Sequence, residues 1–416
     1  MMNEIKEKFV RHKTLIQNFN FMSILQISQV LFPFATYPYL IRVLGKETFG
    51  LLTYSTAIIA YLIMFINFGF NISEIKEISI HRDDREKVSE IVSSVIAIRL
   101  LLLIVSILIL LICLSTVSIL KTHKLLYFSY LGVMINAAID PSFYFQGIER
   151  MKFTTIISVL SSLLFLILIF LFVKNEGHVN LVPLFTSFGA FTGSAFGLYT
   201  AFKNDNLKFY FPHTKQIKAH IVESLPFFSS RLSVLLMEKT NTVLLGSFIG
   251  YTQVSYYDIA AKLVAALKVP FGIINQVIFP NVSKTKNIVL VKKALVILII
   301  FYTFGYFSLY LLAPFLVVIL GGHNVLPSTK VVYILGITLI IDLISTFMGA
   351  PMLLATGHKR EYNMSIIIGS IIYIVYVFLL YLFKSIGLYQ LTIATVCSGF
   401  FILLFRSYYC RIYKLI

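Results

Sequence analysis

This sequence predicts an all-α protein that crosses a bilayer about twelve times, and three observations lead there. Of its 416 residues, 58% are hydrophobic and only 13% are charged, at a mean hydropathy of +0.88. That is about half the charged fraction of a soluble chain. The apolar residues come in runs of about 20, the length of a helix that spans the hydrocarbon core. Within each run they are continuous rather than alternating, which excludes a transmembrane β-barrel.

Taken in order, the runs fall near 18–40, 49–70, 91–114, 125–148, 153–173, 183–202, 224–247, 254–281, 293–320, 329–356, 363–383 and 387–408. The connections are short, and the two longest, 71–90 and 203–223, are polar and basic. With the N-terminus in the cytoplasm, the Lys and Arg outside the spans favour the cytoplasmic side over the opposite side by about three to one. This asymmetry puts both termini in the cytoplasm. The formal charge of +17 resides largely in these loops, so nucleic acid is not an expected partner. The first run opens a full-length span with no small-residue cleavage site, so no removable signal peptide is expected. Cys113, Cys397 and Cys410 lie in or beside apolar runs and have neither disulfide-framework nor metal-ligand spacing. With no Trp, the interfacial aromatic role falls to Tyr and Phe.

The segment Asn71–Val88 places Ile72, Ile75, Ile78 and Ile80 among charges. It reads as an amphipathic helix on the cytoplasmic surface or as a solvated connection. Pro33, Pro270 and Pro314 lie inside spans one, eight and nine, where each kinks its helix and can serve as a hinge.

Two pairs of stretches repeat. Pro141–Gly147 ends span four and Pro351–Gly357 ends span ten, each followed by a basic cluster, at an offset of 210. Phe49–Tyr54 resembles Val254–Ile259 at an offset of 205. Both offsets are six spans. The halves, 1–205 and 206–416, then insert with the same orientation. They are expected as an N-lobe and a C-lobe of six helices each, related by a pseudo-two-fold along the membrane normal, with a substrate site between them.

Spans seven and eight carry the charge that the rest of the chain avoids: Arg231, Glu238, Lys239, Asp258, Lys262 and Lys268. A charge at the bilayer centre costs roughly 2.5–3.5 kcal/mol even on the lenient scale, so these six should line a polar cavity. Arg231 and Glu238 point within about 20° of each other on a helix. Asp258 and Lys262, four apart, share a face. Pairing can absorb both acids but leaves two bases over. Four bases against two acids suit an anionic headgroup, so Arg231, Lys239, Lys262 and Lys268 are the expected cationic contacts. Lys268, close to Pro270, has the alternative of reaching the cytoplasmic interface. Gln26 and Gln29 form part of a polar stripe on span one, and Asn241 adds a further donor; each amide has interhelical bonding as its alternative. Asp258, Glu238, Asp342 and Asp140 are the candidate ion-coupling carboxylates. Asp342 reads as a lone mid-span acid, while Asp140, before Pro141, can cap a broken helix or titrate. Arg99 is expected to snorkel toward the cytoplasm.

No metalloprotease, nucleotide-binding, serine-hydrolase or Cys/His signature is present, so no catalytic or metal-binding residues and no cofactor are expected. The outer loops are too short to house a membrane polymerase site.

The stretch Pro38-Tyr-Leu-Ile-Arg-Val-Leu-Gly-Lys-Glu-Thr-Phe-Gly50 resembles the polysaccharide-transport family, the Wzx-type O-antigen and capsule flippases of the MOP exporter superfamily. Asn67–Phe70, Phe145–Lys152, Ala313–Phe315, Leu320-Gly321 and Leu354–Gly357 follow in family order. Phe143-Tyr144 stands where the family often has Trp. The resemblance implies a MOP/MATE-like fold around a cationic cavity and carries Arg42 and Gly45 over to this chain. It also implies an undecaprenyl-pyrophosphate-linked oligosaccharide substrate, flipped across a bacterial cytoplasmic (inner) membrane by alternating access. Membrane potential, H⁺ or Na⁺ would couple transport. A monomer working beside polysaccharide polymerase and chain-length machinery is expected. A lipid II flippase and a cation antiporter are the alternatives within the fold.

Overall fold

The structure is a computed structural model that describes residues 2–416 and, from residue 17 on, the side chains other than those of 19, 277, 280 and 281. All regular structure among the described residues is helical. The chain divides into two compact units, one of Met1–Leu44 with Ile58–Arg231 and one of Gly45–Ala57 with Leu232–Ile416. The division falls later in the chain than 205/206 and assigns the start of the second run to the second unit.

In the first unit, α1 (Met2–Asn67) is interrupted at Gly45, whose φ of 73° and ψ of 162° suit glycine. Phe68 and Gly69, both at positive φ, turn the chain into α2 (Phe70–Ile80). Within 71–88 this helix runs only as far as Ile80, and Ile72 and Ile80 of the expected apolar face are exposed. The buried residues of α2, Phe70, Ser73, Glu74 and Ile78, face protein, with Ile78 against Gly147. Asp84 accepts the Lys87 backbone N–H and caps α3 (Arg85–Thr116).

After the short α4 (Ser118–Lys121), the fourth run is broken into α5 (Lys124–Ser129), α6 (Leu131–Ile139) and α7 (Ser142–Gly147), the last break falling at Pro141. α8 (Met151–Phe172) and α9 (Leu181–Tyr199) approach closely. A Cβ on Gly189 would lie 2.4 Å from the Ser161 carbonyl oxygen and one on Gly193 2.6 Å from that of Ile157. Without a water-driven hydrophobic force inside a bilayer, such small-residue stripes let helices gain dispersion contacts. α10 (Thr214–Phe248) begins in this unit and leaves it after Arg231.

The second unit continues through α11 (Tyr251–Thr285), α12 (Ile288–Gly321), α13 (Ser328–Gly336), α14 (Thr338–Phe347), α15 (Lys359–Leu382) and α16 (Leu388–Ile412). A widened turn, Met348–Leu354, surrounds Pro351. Residues 45–57 pack here. Gly50 lies so close to Tyr251 that a Cβ would sit 1.8 Å from the Tyr251 carbonyl oxygen. The Ser255 hydroxyl donates to the Lys46 carbonyl, and the Tyr54 and Ser247 hydroxyls are 3.0 Å apart. The repeat-like stretches beginning at Phe49 and Val254 thus touch each other.

Eight helical segments among the described residues are long and apolar enough to cross a membrane. They include one of 61 residues, Asn20–Ile80, long enough for two crossings. α10 and α11 are not among the eight; these are the helices that carry the charges from Arg231 to Lys268. The chain is a multi-pass α-helical membrane protein.

Candidate functional site

Within the second unit the charged helices sort themselves by depth. On α10, Glu238 is exposed, Lys239 is partly buried and Asn241 is fully buried. On α11, Asp258 is buried, with Oδ2 lacking a hydrogen-bond partner, while Lys262 and Lys268 are partly buried. Lys268 neither snorkels nor stands alone: its Nζ is 2.5 Å from Asp342 Oδ2 on α14. Asp342 is accordingly not the lone acid that the sequence suggests.

Asn241 joins α10 to three other helices. Its amide nitrogen lies within hydrogen-bond range of the Tyr257 hydroxyl at 2.9 Å, the Leu391 carbonyl at 3.0 Å and Thr395 Oγ1 at 2.8 Å. Its amide oxygen accepts from the Tyr373 hydroxyl at 2.6 Å. The hydrogen-bonding capacity assigned to a substrate is filled by the protein. Arg406, which sequence reasoning passed over, is also buried. Its Nε donates to Ser365 Oγ at 2.9 Å and its Nη1 to the Ser345 carbonyl at 2.7 Å, with the guanidinium 5.0 Å from the Tyr362 ring centroid.

Within the first unit, Arg42, Gln29 and Arg231 are exposed and Gln26 is partly buried. Among the described residues, neither Arg231 nor Lys239 forms an ion pair with Glu238. Asp140 takes the capping role: its Oδ1 accepts the Ser142 N–H at 3.1 Å and the Ser142 hydroxyl at 2.7 Å where the helix breaks. Arg99 does not reach the cytoplasm. It is 1% exposed, donates to the Asn71 side chain at 2.6 Å and the Asp140 carbonyl at 3.2 Å, and lies 4.6 Å from the Phe143 ring centroid.

Many of the family-like motif residues lie at helix ends and close approaches rather than at these charges. Asn18 bonds the Glu149 carbonyl and the Met151 N–H, Arg82 pairs with Glu149, and Glu149 itself is at φ 58°. Lys286 donates to the Ala355 carbonyl beside Gly357, which is at φ 104°.

Buried cations, mid-helix carboxylates and broken helices sit here in a multi-pass helical fold that solved membrane transporters share. It matches a multidrug-resistance MATE family transporter of the MOP superfamily in its inward-facing conformation, at a TM-score of 0.72 and 17% identity, covering 94% of this chain and 98% of that one. It matches lipid II flippase MurJ, inward closed conformation, equally at 0.72, with 16% identity over 94% of this chain and 87% of that one.

The family model described as "Polysaccharide biosynthesis protein" matches residues 15–286, and the chain belongs to that family. Among curated proteins it is similar to "Putative O-antigen transporter" of Escherichia coli (strain K12), 27% identical over 393 residues, covering 92% of this chain and 94% of that one. It is also similar to a protein of the same name from Shigella dysenteriae, 27% identical over 368 residues, covering 86% and 91%.

Proposed function

We propose that this transporter moves undecaprenyl-pyrophosphate-linked oligosaccharide repeat units from the inner to the outer leaflet of a bacterial cytoplasmic membrane by alternating access, with both termini in the cytoplasm. The observation that carries the reading is the basic balance of α10 and α11. Over 231–268, Arg231, Lys239, Lys262 and Lys268 outnumber Glu238 and Asp258 on these two helices. A cation antiporter would be served by the opposite sign. The similarity to O-antigen transporters along most of the chain supports an oligosaccharide repeat unit over lipid II, whose sugar carries a peptide.

The chemistry fits the cargo. A sugar-pyrophosphate cannot pass hydrocarbon unaided, because its polar groups would lose their hydrogen bonds. A basic, wet surface replaces that hydration while the polyprenyl tail stays in lipid. Arg231 suits bidentate contact with phosphate, and Lys239 and Lys262 act as point charges. An inside-negative potential favours outward movement of the pyrophosphate by roughly 2.3 kcal/mol per charge per 100 mV. Asp258, a buried carboxylate with an unpartnered oxygen, is the coupling residue we assign for H⁺ or Na⁺.

The test is flipping of a labelled polyprenyl-pyrophosphate oligosaccharide in proteoliposomes, with and without an imposed potential, for wild type and Arg231→Ala. Flipping by wild type that falls at least about tenfold in the variant, at equal protein incorporation, is expected from loss of one charge-assisted phosphate contact. Efflux of organic cations without flipping would overturn the assignment.

A further inference from the structure

Glu74 is the most deeply buried acid outside the charges discussed so far. It lies on α2 at 0% exposure. Its Oε1 is 3.1 Å from His220 Nδ1 on α10 and 3.4 Å from Ser73 Oγ, and its Oε2 has no hydrogen-bond partner. Ser73 and Ser224 hydroxyls, 2.6 Å apart, join the same two helices one turn further on. The surroundings are apolar: Phe70, Ile78 and Phe145 are fully buried in one cluster, against which Ile217 and Ile221 of α10 pack. An anion taken out of water with one oxygen bare costs several kcal/mol unless a positive charge or a proton compensates it.

Two groups can supply the compensation. Arg99 on α3 is within electrostatic reach, but its guanidinium donates to Asn71 and the Asp140 carbonyl and is also within reach of Asp140. His220 is in direct contact. The other charges facing His220 are carboxylates, Glu77 on α2 and Glu223 on α10. His220 lies ahead of the seventh apolar run. Burial by itself would lower its pKa, but the Glu74 hydrogen bond and the surrounding carboxylates outweigh burial and raise it above 6.5.

The contact that this pair completes is tight. Gly69, at φ 82°, brings α10 so near that a Cβ would lie 2.8 Å from the Phe228 nitrogen and 3.0 Å from the Ser224 carbonyl oxygen. Phe68 and Phe228 stack with centroids 4.5 Å apart. The seat thus covers the beginning of α10, before the helix leaves the first unit at Arg231.

We propose that Glu74 and His220 form a proton-binding site whose occupancy controls whether the beginning of α10 stays seated on α2. With one proton between them the pair is an imidazolium and a carboxylate, neutral overall and compatible with burial. With the proton lost, a bare carboxylate remains among phenylalanines, and opening the seat admits the water it lacks. Because the pKa of His220 is raised in the closed state, its contribution is fully present below 6.5 and is lost as pH rises through the raised value. The opening constant accordingly climbs by up to about tenfold per pH unit across that interval. Nothing in this site depends on which substrate is carried.

The chain has no Trp, so Phe228→Trp gives the full-length protein a single emission reporter stacked on Phe68. Titrated in lipid nanodiscs from about pH 5.5 to about pH 8.5, the emission should shift to the red in one step with a midpoint above 6.5. The step should vanish in Glu74→Gln and in His220→Gln. Hydrogen exchange of residues 214–224 in the protein without the Trp reporter, corrected for the intrinsic pH dependence of exchange, should rise over the same interval. That measurement decides the matter if Phe228→Trp does not fold. Emission and exchange that are flat with pH, or that titrate unchanged in Glu74→Gln, would overturn the proposal.

Discussion

Replacing Asn241 by Leu distinguishes an interhelical bolt from a substrate contact. Leu keeps the volume but has no polar atom, so the buried Tyr257 and Tyr373 hydroxyls and the part-buried Thr395 Oγ1 each lose a partner. Hydrogen bonds between membrane helices average about 0.6 kcal/mol, so the four contacts together come to about 2 kcal/mol. The penalty for burying unpaired hydroxyls raises the upper end to about 4 kcal/mol. For a cooperative unit of about 150–250 residues, 2 kcal/mol lowers the unfolding midpoint by about 4–8 °C. The assay is thermal unfolding of purified protein in detergent, read by loss of monodisperse material, with Tyr373→Phe and the double variant completing a cycle. Strong coupling between Asn241 and Tyr373 is expected. An unchanged midpoint with lost transport would refute the reasoning and return Asn241 to the substrate.

Gly50→Ala drives a methyl group into the Tyr251 carbonyl, a backbone atom that cannot swing aside, and should cost about 1–3 kcal/mol in thermal unfolding; an unshifted midpoint would contradict the close approach. Arg99→Lys cannot reach Asn71 and the Asp140 carbonyl together and should lower membrane yield and stability by about 1–3 kcal/mol, whereas Arg82→Lys, at the half-exposed pair with Glu149, should change stability by less than about 1 kcal/mol. Equal effects of the two substitutions would argue against a special role for the buried guanidinium. Lys268→Met should be partly rescued by Asp342→Asn, with coupling of about 1 kcal/mol because both side chains retain solvent contact; additive unfolding midpoints would show that the pair contributes nothing.

Hydrophobic run length located the helices well because bilayer thickness imposes it on each segment locally. The break at Asp140-Pro141 was legible for the same reason: proline cannot continue the hydrogen-bond ladder, and the neighbouring carboxylate can accept an N–H that the new helix start leaves bare. Partners were not legible. Lys268 and Asp342 are 74 residues apart, and Arg99 meets Asn71 and Asp140 only through tertiary folding. The expectation that a basic side chain snorkels is right for a lipid-facing position and fails where protein supplies the acceptors. One signal was overlooked: Gly189, Gly193 and Gly197 recur every four residues along the α9 face that meets α8.

The placement of residues 45–57 has a consequence for how the chain is made. Tyr54 and Gly50 emerge from the ribosome about 190–200 residues before Ser247 and Tyr251, the groups they pack against. At roughly 5–20 residues per second that gap is about 10–40 s. During that interval the stretch after Gly45 waits in the membrane with its packing surface uncovered, and the first unit is already complete in sequence before the wait ends. A chain stopped at Arg231 would keep that surface permanently open.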